Sequence, residues 1–222
     1  LGILLRFLDK ETLDSVRMDA ENILILKHKI VTDINLNGEK EINEYLTQVE
    51  DLLIEFPSRI EGFWVQMEEL KEHKDRIDVV LARLTHNIFR EIEALRYSRN
   101  TENINKIVYL SQLIEVANKI HAYSVRGELD KKISFWEKLD KSGEQLDAVL
   151  KKIKTEIPCS EGSAISQIIE DAKIYNVAAR EVKKAWISIN KEEGLLLEVV
   201  NKVQVISQAI ESFERGKASG QA

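Results

Sequence analysis

The chain has 222 residues, 32 Lys and Arg against 38 Asp and Glu, a net charge of −6, and 44% hydrophobic but only 6% aromatic residues. Two Pro, nine Gly and interspersed charge of both signs make a helical bundle the expected class and argue against a sheet protein or a nucleic-acid partner. Cys159, the single cysteine, excludes an internal disulfide. The length admits one domain or two with a sizeable core. No apolar run reaches the ~18 residues of a membrane span. The opening Leu1-Gly2-Ile3-Leu4-Leu5 reads equally as the trailing edge of one or as an ordinary amphipathic start. Because the chain does not begin with Met, it is read as an excised or processed piece.

Six helices are predicted. The first covers roughly residues 3–34, with an apolar stripe at Leu13, Val16, Ala20, Ile23, Ile30 and Ile34. Asn35-Leu36-Asn37-Gly38 ends it, because Asn and Gly accept left-handed backbone angles. A second helix, residues 39–56, carries Ile42, Leu46, Val49, Leu53 and Phe56 and stops before Pro57. Ser58 then caps a long third helix to Arg99, with Glu61 completing a capping box. Its apolar residues, among them Ile60, Phe63, Leu70, Ile77, Leu84 and Ile88, are spaced mostly by threes and fours, which keeps one face in a core.

Asn100-Thr101-Glu102 opens a fourth helix that runs to about Val125, where Arg126-Gly127 breaks the chain. The fifth, residues 128–157, turns Leu129, Ile133, Trp136, Leu139, Leu146, Leu150 and Ile153 to one face. A turn from Pro158 to Gly162 leads to the sixth, residues 162–217, with a stripe from Ile165, Ile168 and Ala172 to Val203 and Ile210. At about 1.5 Å per residue the third and sixth helices reach roughly 60 and 80 Å. Short turns make successive helices antiparallel, so these lengths imply an all-α, elongated six-helix rod of two stacked four-helix bundles sharing two long helices. Residues 1–78 with 190–222 would form one bundle of this single domain and residues 79–189 the other.

Enzyme chemistry has little support. None of His28, His73, His86 and His121 follows a Glu at the i, i+3 spacing of a di-iron bundle. Glu69 and His73 form an i, i+4 pair that is more often a solvated face. There is no Cys/His zinc cluster and no Gly-rich phosphate loop, and Cys159 has no evident base. No enzyme activity, cofactor or metal is therefore expected.

Polar residues interrupt the apolar seams at Lys27, Lys74 and Glu193. Three charges at one level of the rod would form an internal ion-pair cluster or an anion site, since a buried charge is costly unless paired. The plainer reading lets them snorkel outward at a bundle edge. In the second bundle Arg83, His86 and Arg90 follow one flank of helix three, Asn118 and His121 lie on helix four, and Arg180 on helix six. Arg suits bidentate recognition of carboxylates, although each of these is also a common surface residue. Trp64, Trp136 and Trp186 are read as core, and Gly143 as permitting close helix contact.

The order of helix lengths, with Ile92-Glu93-Ala94-Leu95-Arg96-Tyr97 running into Asn100-Thr101-Glu102-Asn103-Ile104, resembles the helical bimodular sensor domains of bacterial chemoreceptors and histidine kinases. It is also similar to the sensor of trimethylamine-oxide-type kinases. The resemblance covers essentially the whole chain and implies an extracytoplasmic, periplasmic sensor module between transmembrane helices outside this fragment. A small organic acid or other small polar ligand would be its partner, and a homodimer its working form. Where the family expects an Arg in helix four, this chain has Asn118. A non-enzymatic helical scaffold that presents a face to partner helices is the alternative.

Overall fold

In a computed structural model, the structure describes residues 40–97, 101–157, 160 and 162–220, together with 14, 15, 18, 21, 22 and 25. Among these residues every element is a helix and there is no strand: α1 (Lys40–Tyr97), α2 (Thr101–Asp130), α3 (Ile133–Glu156) and α4 (Ala164–Gly220). The fold class is all-α. Most of the first predicted helix lies outside the described residues.

Two expected breaks are not there. Residues 39–56 and 58–97 do not form separate helices, because α1 runs for 58 residues with Pro57 inside it. Pro57 has no N–H for the Leu53 carbonyl, and its ring crowds that oxygen, at a cost of about 3 kcal/mol. Immediately after it Ile60 and Phe63 are buried, at 2% and 0% exposure. Burying each is worth roughly 1.5–3 kcal/mol, which is enough to hold the helix through the proline. Ser58 therefore sits in a helix interior and caps nothing. Among the described residues the second and third predicted helices are therefore one, and their antiparallel pairing is not there.

Arg126-Gly127 does not end a helix either. α2 continues through it to Asp130, and the turn falls at Lys131, in the left-handed region at φ 50°, and at extended Lys132. Gly127 is a notch rather than a stop: a Cβ there would meet Trp136 Cε2 at 2.6 Å. The shift also strands two residues expected in the core, for Leu129 and Ile133 are 77% and 71% exposed. At the start of α4 the Ser163 hydroxyl accepts the Ser166 N–H at 3.2 Å, an N-cap that satisfies one orphan donor of the first turn.

The chain divides into two compact units, Leu1–Glu68 with Ser188–Ala222, and Glu69–Ile187. α1 and α4 each give one segment to each unit. In the first unit the described core includes Ile60, Phe63, Ile189, Leu196, Val199 and Ile206. In the second, segments of all four helices surround Leu84, Ile88, Leu110, Leu113, Ile120, Trp136, Leu146, Ile168 and Tyr175. Trp136 and Trp186 pack with ring centroids 5.1 Å apart, a tilted pair of the kind aromatic quadrupoles favour. The Tyr175 hydroxyl, buried with its ring, donates to the Ala117 carbonyl at 3.0 Å, which ties α4 to α2.

Candidate functional site

A charged residue lies inside the second unit. Asp171, on α4, has no exposed surface. Its i+3 distance from Ile168 and i−4 distance from Tyr175 put it on the apolar face of the helix. Burying a carboxylate is unfavourable unless donors surround it, and three do. Arg83 on α1 approaches Oδ1 at 2.8 Å, and Gln167, one turn earlier on α4, donates to the same oxygen at 3.1 Å. Asn87 on α1 donates to Oδ2 at 3.0 Å. Arg83 keeps about half of its side chain in solvent, so the cluster is sealed on the Asp171 side and open on the other. Two turns of α1 and one of α4 are fastened by a single carboxylate.

Beside this clamp lies a cavity of about 240 Å³ lined by Asn87, Arg90, Glu91, Ala94, Ala164 and Gln167. Two of these, Asn87 and Gln167, also hold Asp171. Arg90 and Glu91 form no ion pair with another described residue. A larger groove of about 560 Å³ opens in the first unit, lined by Gln48, Asp51, Leu52, Glu198, Asn201, Lys202, Val205 and Ile206. Its Glu198 and Lys202 are spent on each other at 2.8 Å, a pairing that holds the Glu198 carboxyl below its ordinary value. A recognition site needs a few polar groups held in place as well as volume, and at the smaller cavity Asn87 and Gln167 are held by the buried Asp171.

The residues singled out from the sequence fall in several places. Arg83 holds Asp171, and Arg90 lines the cavity one helical flank away. His86 and Asn118 are exposed. His121 faces Asp78 at 3.8 Å, too far for a hydrogen bond. Arg180 pairs with Asp147 at 3.3 Å, where Asn176 also donates to Asp147 at 3.0 Å and to the Gly143 carbonyl at 3.3 Å. Four of the six distal residues are thus divided among three helix seams, and His86 and Asn118 lie on exposed surface. Gly143 admits this contact, since a Cβ there would sit 2.7 Å from Asn176 Oδ1.

Of the proximal three, Lys27 lies outside the described residues. Lys74 is not a buried charge: its side chain is 46% exposed and its ammonium pairs with Glu128 at 2.7 Å. The continuation of α2 through Gly127 places Glu128 on that helix within reach of Lys74, so the seam break is a surface ion pair. Glu193 is buried, at 6% exposure.

Asp171, Asn87, Glu91 and Gln167 were not singled out from the sequence. The signal was available, since Leu84, Asn87 and Glu91 keep the three–four rhythm of α1, as Ile168, Asp171 and Tyr175 do in α4.

Among the described residues there is no group of three or more His, Cys, Asp or Glu that could hold a metal. No helix of the described residues is long and apolar enough to cross a membrane. The chain matches no family model, no curated protein and no solved structure.

Proposed function

We propose that this chain is the extracytoplasmic ligand-binding sensor domain of a transmembrane signalling receptor, a chemoreceptor or a sensor kinase. In this reading it recognises a small organic acid or another small polar molecule, works as a homodimer, and builds its helices into two stacked bundles sharing α1 and α4. The observation that carries the reading is the polar cavity at Arg90, Glu91, Asn87 and Gln167, set against the buried Asp171 clamp. A scaffold has no need of such a cluster, because replacing a buried ionic group with apolar residues is often neutral or stabilising. The second reading, a helical interaction module, draws on exposed apolar side chains such as Phe89, Leu129 and Ile133, at 56%, 77% and 71%.

A thermal-shift screen of this chain against carboxylates, amino acids, amines and inorganic anions separates the two. A ligand that binds only the folded state, at 100 times its dissociation constant, stabilises it by about 2.7 kcal/mol. For a protein of this size that is a rise of roughly 5–10 °C in Tm. The sensor reading requires a dose-dependent rise for one chemical class that Arg90→Ala abolishes. No rise from any class rejects it in favour of the interaction module.

A further inference from the structure

The Asp171 clamp decides which atoms its two amides can offer a ligand. An ionised carboxylate has lone pairs and no proton to give, so whatever meets it must donate. Asn87 therefore turns Nδ2, and Gln167 turns Nε2, toward Asp171. This orientation follows from the chemistry of the partner and is not a choice between two indistinguishable flips. The carbonyl oxygens Oδ1 of Asn87 and Oε1 of Gln167 are left facing away from Asp171, and both residues line the cavity. Glu91, on the same wall, is an acceptor as well. Three of the four polar groups at the cavity therefore accept hydrogen bonds, and they ask for a donor-rich, positively charged group. An ammonium has three donors and no acceptor. The fourth polar group, Arg90, is the opposite: a planar fork of donors suited to a carboxylate.

We infer that the cavity takes a small zwitterion of the amino-acid class, its ammonium held by Glu91 and the amide oxygens of Asn87 and Gln167, and its carboxylate by Arg90. The volume of about 240 Å³ is below the ~300–1,000 Å³ of drug-sized pockets, which sets an upper limit on the side chain admitted. An organic acid without an amine would leave Glu91 and the two amide carbonyl oxygens at the cavity without a donor, and unpaired acceptors of this kind are what rejects a near-analogue. The inference rests on the sensor reading above and narrows its ligand from small polar molecules to one charge pattern.

The test is a calorimetric titration of the whole chain with matched sets: an amino acid, its deaminated acid and its decarboxylated amine, beginning with alanine, propionate and ethylamine and continuing through the common amino acids. One amino acid is expected to bind at least about tenfold more tightly than either of its halves. Arg90→Ala should reduce it to the affinity of its amine, and Glu91→Gln to that of its acid. Gln145→Ala, on the exposed surface of α3, should change neither, and far-UV circular dichroism checks that each variant is folded. If a deaminated acid binds as well as its parent amino acid, the zwitterion is wrong while a small-ligand sensor survives. If an amino acid binds but is indifferent to both Arg90→Ala and Glu91→Gln, the site is wrong. If no acid, amine or amino acid binds, the inference falls together with the function it rests on.

Discussion

Gly127→Ala is a demanding test of the packing in the second unit, because two well-measured effects oppose each other at that position. In an exposed helix interior, alanine is better than glycine by roughly 0.5–1 kcal/mol, through backbone entropy. Gly127, however, lies against Trp136, and an ideal Cβ would stand 2.6 Å from Cε2, 2.8 Å from Cζ2 and 3.0 Å from Cδ2. Carbon atoms prefer about 3.5–4.0 Å. The atoms met belong to a rigid fused ring that is 1% exposed and is packed on Trp186, so the ring has to move as a body by about 1 Å. Overpacking of this sort costs about 1–3 kcal/mol. With the propensity gain subtracted, we expect a net loss of up to about 2.5 kcal/mol.

Gly62 and Gly194 supply the control. Both are helical and have nothing within 4 Å of a built Cβ, so alanine there should stabilise by roughly 0.5–1 kcal/mol. Urea unfolding followed by far-UV circular dichroism reads all three, provided the slope of each transition is unchanged. The expected pattern is one midpoint lower and two higher than wild type. The Gly127→Ala penalty should shrink in a Trp136→Phe background, where the fused part of the ring is gone; that coupling identifies the ring as the cause. A Gly127→Ala midpoint that rises with the controls would refute the close approach of α2 to Trp136.

Pro57→Ala should stabilise the protein by up to about 3 kcal/mol by restoring the hydrogen bond to the Leu53 carbonyl, seen as a higher Tm; a lower Tm would mean that the chain turns at Pro57 after all. Asp171→Asn replaces one carboxylate oxygen by an NH₂, which then opposes a donor whichever way it turns: Asn87 on one side, or Arg83 and Gln167 on the other. With Arg83 half exposed, the expected loss is about 2 kcal/mol, and wild-type stability in thermal unfolding would contradict the clamp. Burial, then the nearby Asp78 charge, raises the Tyr175 hydroxyl far above its usual value near 10.0. Above about pH 10 the unfolded chain releases this proton while the folded chain keeps it, so stability is present below that pH and lost as pH rises. Tyr175→Phe should cost about 1 kcal/mol at neutral pH through the lost bond to Ala117 and should show a shallower alkaline loss than wild type; parallel alkaline limbs would disprove the assignment.

Helices were legible in this sequence because apolar gaps of three and four persist through α1 and α4, and Leu84, Ile88, Ile168 and Val182 are buried as that rhythm requires. Local stop signals misled where tertiary packing outweighs them. Pro57 reads as a boundary, yet Ile60 and Phe63 are buried directly after it. Gly127 reads as a break, yet its missing Cβ is what admits Trp136, a partner no local window reveals. Arg83 and Arg90 stood out because charge on a helix flank is conspicuous. Asp171 did not, because a single polar residue on a long apolar face resembles an edge position until its donors on α1 are seen. Asn87 and Gln167 are ordinary surface types, and only the direction of their amides gives them a role.

On the proposed function, the clamp also limits the motion a ligand can drive. The cavity is lined by Arg90, Glu91 and Ala94 of α1 and by Ala164 and Gln167 of α4. Along both helices these lie between Asp171 or Arg83 and the helix end nearest the cavity. The opposite directions, past Arg83 in α1 and past Asp171 in α4, lead to residues 40–68 and 188–220, which belong to the other unit. Along α1 and α4 the clamp is the first polar fastening between the cavity and those segments, and Arg76 and His73, facing Glu181 at 3.5 and 3.8 Å, come after it. Splaying the helices at the cavity would pull Arg83 and Asn87 from a carboxylate with no access to water, which is expensive. A small axial slide or rotation keeps donors near the same two oxygens. A ligand shifts such an equilibrium only by its difference in affinity between the two states, and moving it from 1:99 to 99:1 takes about 5.5 kcal/mol. One amino-acid-sized ligand can supply that only if the competing displacement is small, which favours the slide over the splay.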